Sequence, residues 1–162
     1  MKHNPKICFF TGHRIIGAKK RSIIEGWLRE EILDKINHKI DVFITGGAVG
    51  FDTMAAEQVL FMKEDYPNIK LYLYLPCTNH DALWNENQRD RFAVIKNLAD
   101  KICYVTNDVY TEGCMRKRNK AMVDVSDCGI AYIKTDHSGA AQTMKMAQEK
   151  GIDVINIANK IK

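Results

Sequence analysis

The stretch Val42-Phe43-Ile44-Thr45-Gly46-Gly47-Ala48-Val49-Gly50-Phe51-Asp52 passes from an unbroken β-branched and aromatic run straight into a glycine-rich turn. Helical periodicity follows, with Ala56, Val59, Leu60 and Met62 falling on one side and Asp52 placed to cap the helix start. A short strand that is apolar on every residue is one covered on both faces, as in a parallel sheet. The same unit recurs in both directions. Apolar runs at 7–10, 69–75, 102–105, 129–133 and 154–157 begin about 25 to 35 residues apart, the length of a strand plus a returning helix. Between them lie further helical stripes: Ile24, Leu28 and Ile32 with Trp27 and Ile36; Phe92, Ile95 and Leu98; Ala140, Met144 and Ala147. Strand and helix alternating from end to end predict an α/β fold, a doubly wound, mostly parallel sheet of about six strands with helices on both faces.

The chain of 162 residues is 46% hydrophobic and 27% charged, which predicts one globular domain over 1–162 and excludes disordered and fibrous classes. Its 24 basic against 20 acidic residues leave a net charge of +4, permissive of phosphate-bearing partners without singling out nucleic acid. No apolar run approaches the roughly 18 residues of a membrane helix, and Met1-Lys2-His3-Asn4-Pro5 lacks a signal-peptide core. The five cysteines are scattered without metal-binding spacing. The expectation is a reduced, cytoplasmic domain with no metal and no membrane partner. Oligomeric state is left open, a homo-oligomer included.

In open α/β sheets ligands bind beyond the carboxyl ends of the strands, so the residues following each run are the candidates. Gly46, Gly47, Ala48 and Gly50 join the second strand to its helix. Glycines there let a ligand approach the backbone, and a helix start presents free N–H groups to a phosphate; the alternative is a tight turn with no ligand. Two phosphate motifs are excluded by letter. GxGxxG would need glycine where Thr45 stands, and a P-loop built on Gly12 and Gly17 would need lysine where Ala18 stands. Gly12, His13 and Arg14 follow the first strand, and Arg14 is suited to clamp a phosphate bidentately, if it is not a surface arginine paired with an acid. His13 either donates to a ligand or supports the turn.

The densest positive charge is Cys114-Met115-Arg116-Lys117-Arg118-Asn119-Lys120. Most of it reads as a solvated face. Arg118 shares a stripe with Met115, Met122 and Val125, so it is expected to point inward, toward an acidic partner or an anion. Asn119 is placed to read a ribose or base edge, and the segment 106–113 is long enough for a lid. Ser138, Gly139 and Thr143 open the last long helix and offer a second anion-receptive start. Trp84 and Tyr110 are either packing residues or platforms for a base.

Thr11-Gly12-His13-Arg14, Gly46-Gly47-Ala48-x-Gly50-x-Asp52, Trp84, Arg118-Asn119 and the Gly139/Thr143 element occur in this order in the YpsA-like proteins, which the chain resembles over nearly its whole length. These belong to the SLOG superfamily, with the LOG phosphoribohydrolases and DNA-processing protein A. The resemblance implies a Rossmann-like fold and a nucleotide-type ligand of the ADP-ribose or NAD class; no cofactor beyond that nucleotide is assigned. It implies a ligand class more readily than a reaction. LOG enzymes carry a catalytic glutamate after their second glycine motif (PGGxGTxxE). The matching segment here, Ser138-Gly139-Ala140-Ala141-Gln142-Thr143-Met144-Lys145-Met146, holds no acid, and Ser138 and Ala140 replace the Gly and Thr usual in the YpsA-like form. Glu57 and Asp52 are the remaining carboxylates near a turn, and catalytic residues stay unassigned. The leading expectation is a nucleotide sensor or carrier. The alternatives are a hydrolase of a nucleotide's glycosidic bond, a single-stranded nucleic-acid binder using the Arg116 to Lys120 surface, and sequestration of a nucleotide-derived signal.

Overall fold

A computed structural model of the protein describes residues 4–161. Its strands are β1 (Ile7–Gly12), β2 (Val42–Thr45), β3 (Lys70–Leu75), β4 (Lys101–Tyr104), β5 (Cys128–Tyr132) and β6 (Asp153–Asn156). The helices are α1 (Arg21–Asn37), α2 (Phe51–Lys63), α3 (Glu86–Leu98), α4 (Cys114–Val125) and α5 (Gly139–Glu149). All six strands are parallel, in the order β4-β3-β2-β1-β5-β6. The doubly wound α/β architecture is therefore the one the apolar runs predict, and strand bounds differ from those runs by a residue or two.

Alternation along each strand sorts the side chains into two layers. Cys8 and Phe10 of β1, Phe43 of β2 and Leu71, Leu73 and Leu75 of β3 pack under α1, α2 and α3. Phe9, Val42 and Ile44 face the other way and meet Met122 and Val123 of α4 and Ala147 of α5. Each layer removes several large apolar side chains from water, worth roughly 1.5–3 kcal/mol apiece before the entropy of ordering is charged against them. Stacked rings tie the first layer to the sheet's upper edge, Phe10 on Phe43 at 5.9 Å and Phe51 on Tyr132 at 6.1 Å.

The stripes need three corrections. Val125 is 42% exposed and lies off the buried face of α4, which uses Cys114, Arg118, Met122 and Val123. Leu98 is exposed at the last turn of α3, and α5 buries Thr143 with Ala147 in place of Ala140 and Met144. In each case other members of the stripe are buried as expected, Phe92 and Ile95 of α3, Arg118 and Met122 of α4 and Ala147 of α5, because a few apolar letters fix a helical face but not every residue on it. Among the described residues no helix is long and apolar enough to cross a membrane.

Strand order reverses beside β1. The chain leaves β1 for α1 on one face and leaves β5 for α5 on the other, so the two loops diverge and open a crevice at the carboxyl edge.

Candidate functional site

That crevice is a cavity of about 310 Å³, within the size range of small-molecule sites. Four segments distant in sequence wall it. Thr11, Gly12, His13 and Arg14 come from the end of β1, Ala48 and Asp52 from the glycine turn and α2, Met115, Arg118, Asn119 and Met122 from α4, and Ser138, Gly139 and Ala140 from the start of α5.

Arg118 is 4% exposed. Its Nε donates to Asn119 Oδ1 at 2.7 Å, and Nη1 donates to the carbonyl of Gly46 and, at 3.5 Å, to that of Tyr74. No carboxylate among the described residues stands within ion-pair distance of it. Burial pulls its pKa below the ordinary arginine value, with nearby Asp52 opposing the shift and Arg14 adding to it. The glycine beneath it is obligatory for this arrangement, since a Cβ on Gly46 would lie 2.5 Å from Arg118 Nη1.

Asp52 is not the helix cap. The N-cap of α2 is Gly50, at φ 80°, and Asp52 sits inside the first turn with its Oδ2 accepting from Ala48 N–H at 3.2 Å. Gly50 takes that place because its backbone presses on the carbonyl of Arg14, where any Cβ would collide. Burial raises the Asp52 carboxyl to about 6, against the lowering influence of Arg118 and of the Ala48 N–H.

His13 braces the crevice. Its ring Nε2 accepts from Lys134 N–H at 2.8 Å, its backbone N–H donates to the Tyr132 carbonyl at 3.2 Å, and its carbonyl accepts from Phe51 N–H at 3.0 Å. Burial and the neighbouring Lys134 lower its pKa, and an Nε2 that accepts from a backbone N–H places the ring proton on Nδ1. Arg14 is exposed, with a single weak side-chain contact to Met115 Sδ at 3.8 Å. Ser138 caps α5, its Oγ accepting from Ala141 N–H at 3.0 Å.

Other candidates lie elsewhere. Gly46 and Gly47 are buried beneath the turn, and Thr143 is buried with its hydroxyl donating to Gly139 O at 2.9 Å. Trp84 packs edge-on against His80 and Phe92, at 5.2 and 5.4 Å, and borders only a narrow side slot between Arg14 and Arg118. Tyr110 is 57% exposed and reaches none of these walls. Its loop is tied to the segment after β3, where Thr78 N–H donates to Asp108 O at 3.0 Å and Tyr110 N–H to Asn79 Oδ1 at 2.8 Å. Glu57 is turned away and held by Arg91 at 2.7 Å. The basic letters around Arg118 are solvated, Lys120 pairing with Asp124 at 2.7 Å.

Sequence reasoning missed His80, whose Nε2 is buried without a hydrogen-bond partner among the described residues and whose pKa burial lowers. It also missed Arg21 and Arg91, which stand with Arg14 around a neighbouring cavity. A free arginine at a helix start was the available signal for Arg21; nothing local marks His80.

The geometry defines a Rossmann-like domain with an arginine-floored cavity at its strand reversal. A family model named YpsA, described as the YspA SLOG family, matches residues 9–157, and the chain belongs to that SLOG family. A UPF0398 protein of Ligilactobacillus salivarius is 29% identical over 122 residues, 75% of this chain and 67% of the relative. The prophage-derived protein YoqJ of Bacillus subtilis is 30% identical over 131 residues, 74% of this chain and 75% of that one. The matched segment spans 52% to 75% of such relatives' own length. Among solved structures, DNA processing protein A of Helicobacter pylori, described for its single-stranded DNA binding mode, superposes with a TM-score of 0.65 at 20% identity. That match covers 93% of this chain and 64% of the other, and at this identity it establishes the shared fold.

Proposed function

We propose that the cavity binds a phosphorylated nucleotide of the ADP-ribose or NAD class, and that the domain acts as a sensor or carrier in preference to a strong catalyst. The observation that carries this reading is Arg118: a buried guanidinium with no carboxylate in contact, at the floor of an open cavity. Backbone carbonyls satisfy part of its donor set and Asp52 opposes its charge only from beyond contact distance, so a phosphate would supply the direct anionic partner it lacks. Arg14 from the rim and the first free N–H groups of α5 converge on the same space. Asn119, fixed by Arg118 Nε, leaves its amide N–H₂ free to face a ribose or base.

Calorimetry tests it. ADP-ribose or NAD should bind at least about tenfold tighter than adenosine, a difference of roughly 1.4 kcal/mol. Arg118→Met should remove most of that affinity and cost the fold about 1–3 kcal/mol, because it strands carbonyls and takes the opposing cation away from buried Asp52. Equal affinities for nucleotide and nucleoside would refute the reading.

A second reading is favoured by the structural likeness to DNA processing protein A. In it the nucleotide is one unit of a single strand entering the same cavity. Tighter binding of short single strands than of ADP-ribose in the same titration would select it.

A further inference from the structure

Beside the first cavity lies a second of the same size, about 310 Å³, and Arg14 stands in the wall of both. The second is lined by Arg21 from the first turn of α1, Arg91 from α3, and Val49, Thr53 and Gln88. No carboxylate lines it. Glu57 engages Nε and Nη2 of Arg91 from behind, leaving Nη1 free. Arg21 makes no side-chain hydrogen bond or ion pair among the described residues. Three guanidiniums from three segments of the chain line the concavity; Glu57 binds Arg91 and Glu25 lies close enough to act on it, so the cations around the concavity outnumber the acids.

We propose that the Arg14–Arg21–Arg91 cavity is a second phosphate subsite, so that the preferred ligand carries two separated phosphates, one on each side of Arg14. This rests on the reading of the first cavity as a phosphate site. Within the single-strand reading of that cavity, it favours a 5′-phosphorylated dinucleotide or short strand over a mononucleotide. Arg14 belongs to both halves and Arg21 to one. That asymmetry makes the two readings separable.

The test is a titration series of AMP, 5′-phosphorylated d(AA) and 5′-phosphorylated d(AAA), run on the whole chain at several salt concentrations. Wild type should bind the longest probe at least about tenfold tighter than AMP, since hydrogen bonds to charged groups are the strong ones. In Arg21→Gln the ratio of those two affinities should collapse toward one, and the salt slope for the trinucleotide should fall by about 0.7 for the lost phosphate contact. Arg21 is exposed, and a melt of the variant confirms that folding is unaltered. A ratio unchanged in Arg21→Gln, or no gain from AMP to trinucleotide in wild type, overturns the second subsite while leaving the first cavity's reading intact. Failure of every probe to bind wild type overturns the second subsite, and the first cavity's reading falls with it only if ADP-ribose and NAD fail to bind as well.

Discussion

Asp52 and Arg118 line one cavity and sense each other's charge, and the carboxyl titrates near the physiological range. Its folded pKa, about 6, lies above the ordinary 3.8, so the folded state holds the proton more tightly than the unfolded chain. Its contribution to stability is therefore greatest below pH ~3.8, falls as pH rises toward 6 and is constant above, a span of roughly 3 kcal/mol at 1.36 kcal/mol per unit. Asp52→Asn should flatten that part of the urea-melt profile. The ionised carboxylate also opposes an incoming anion. NAD, whose diphosphate does not titrate here, should bind more tightly at pH 5.5 than at pH 7.5, and the difference should vanish in Asp52→Asn; His13 adds little, its Nε2 being committed to Lys134. Gly46→Ala probes the same floor sterically. Moving the guanidinium aside should cost about 1–3 kcal/mol of stability, as overpacking does, and reduce nucleotide affinity at least tenfold by calorimetry.

At the scale of elements, α5 presents its amino end to the cavity with Ser138 as cap. Aspartate caps a helix as well as serine does, but brings a negative charge. Ser138→Asp should therefore keep or slightly raise the melting temperature while weakening nucleotide binding about tenfold or more, and Ser138→Ala should lose about 1 kcal/mol of stability with a smaller effect on binding. The elements themselves are legible in the sequence, because strands buried on both faces read as apolar runs and glycine marks the βα turns. So is the inward aspect of Arg118, a charge set among Met115 and Met122. Asp52 misleads as a cap because acid-before-helix is a statistical signal, whereas Gly50 is required by its contact with the Arg14 carbonyl, a tertiary fact. Tyr110 and Trp84 carry no local mark that distinguishes a platform from packing. The cluster of Arg14, Arg21 and Arg91 is invisible for a related reason: its members are brought together only by the packing of α1, α2 and α3.

Across the whole molecule the carboxyl-terminal segment is fastened to α1. Lys160 Nζ meets the buried Glu31 at 2.6 Å and lies 5.0 Å from the Trp27 ring centre. Removing the cation leaves a buried acid, softened by the partial exposure of Lys160, so Lys160→Ala should cost about 1–3 kcal/mol in denaturant melts. The strand order has a kinetic consequence of its own. β1 is synthesised first, yet one of its two neighbours is β5, whose Cys128 pairs with Cys8 across the intervening chain. A nascent chain that has already laid down β1 to β4 still shows a bare edge at its most central strand, and long-range closure of that kind is slow. The crevice between β1 and β5 thus comes into existence late on the ribosome, after four of the six strands have been made. Until then the chain has half of its cavity wall and an unpaired β-edge that other strands can capture, a hazard that ends only when the carboxyl-terminal third docks.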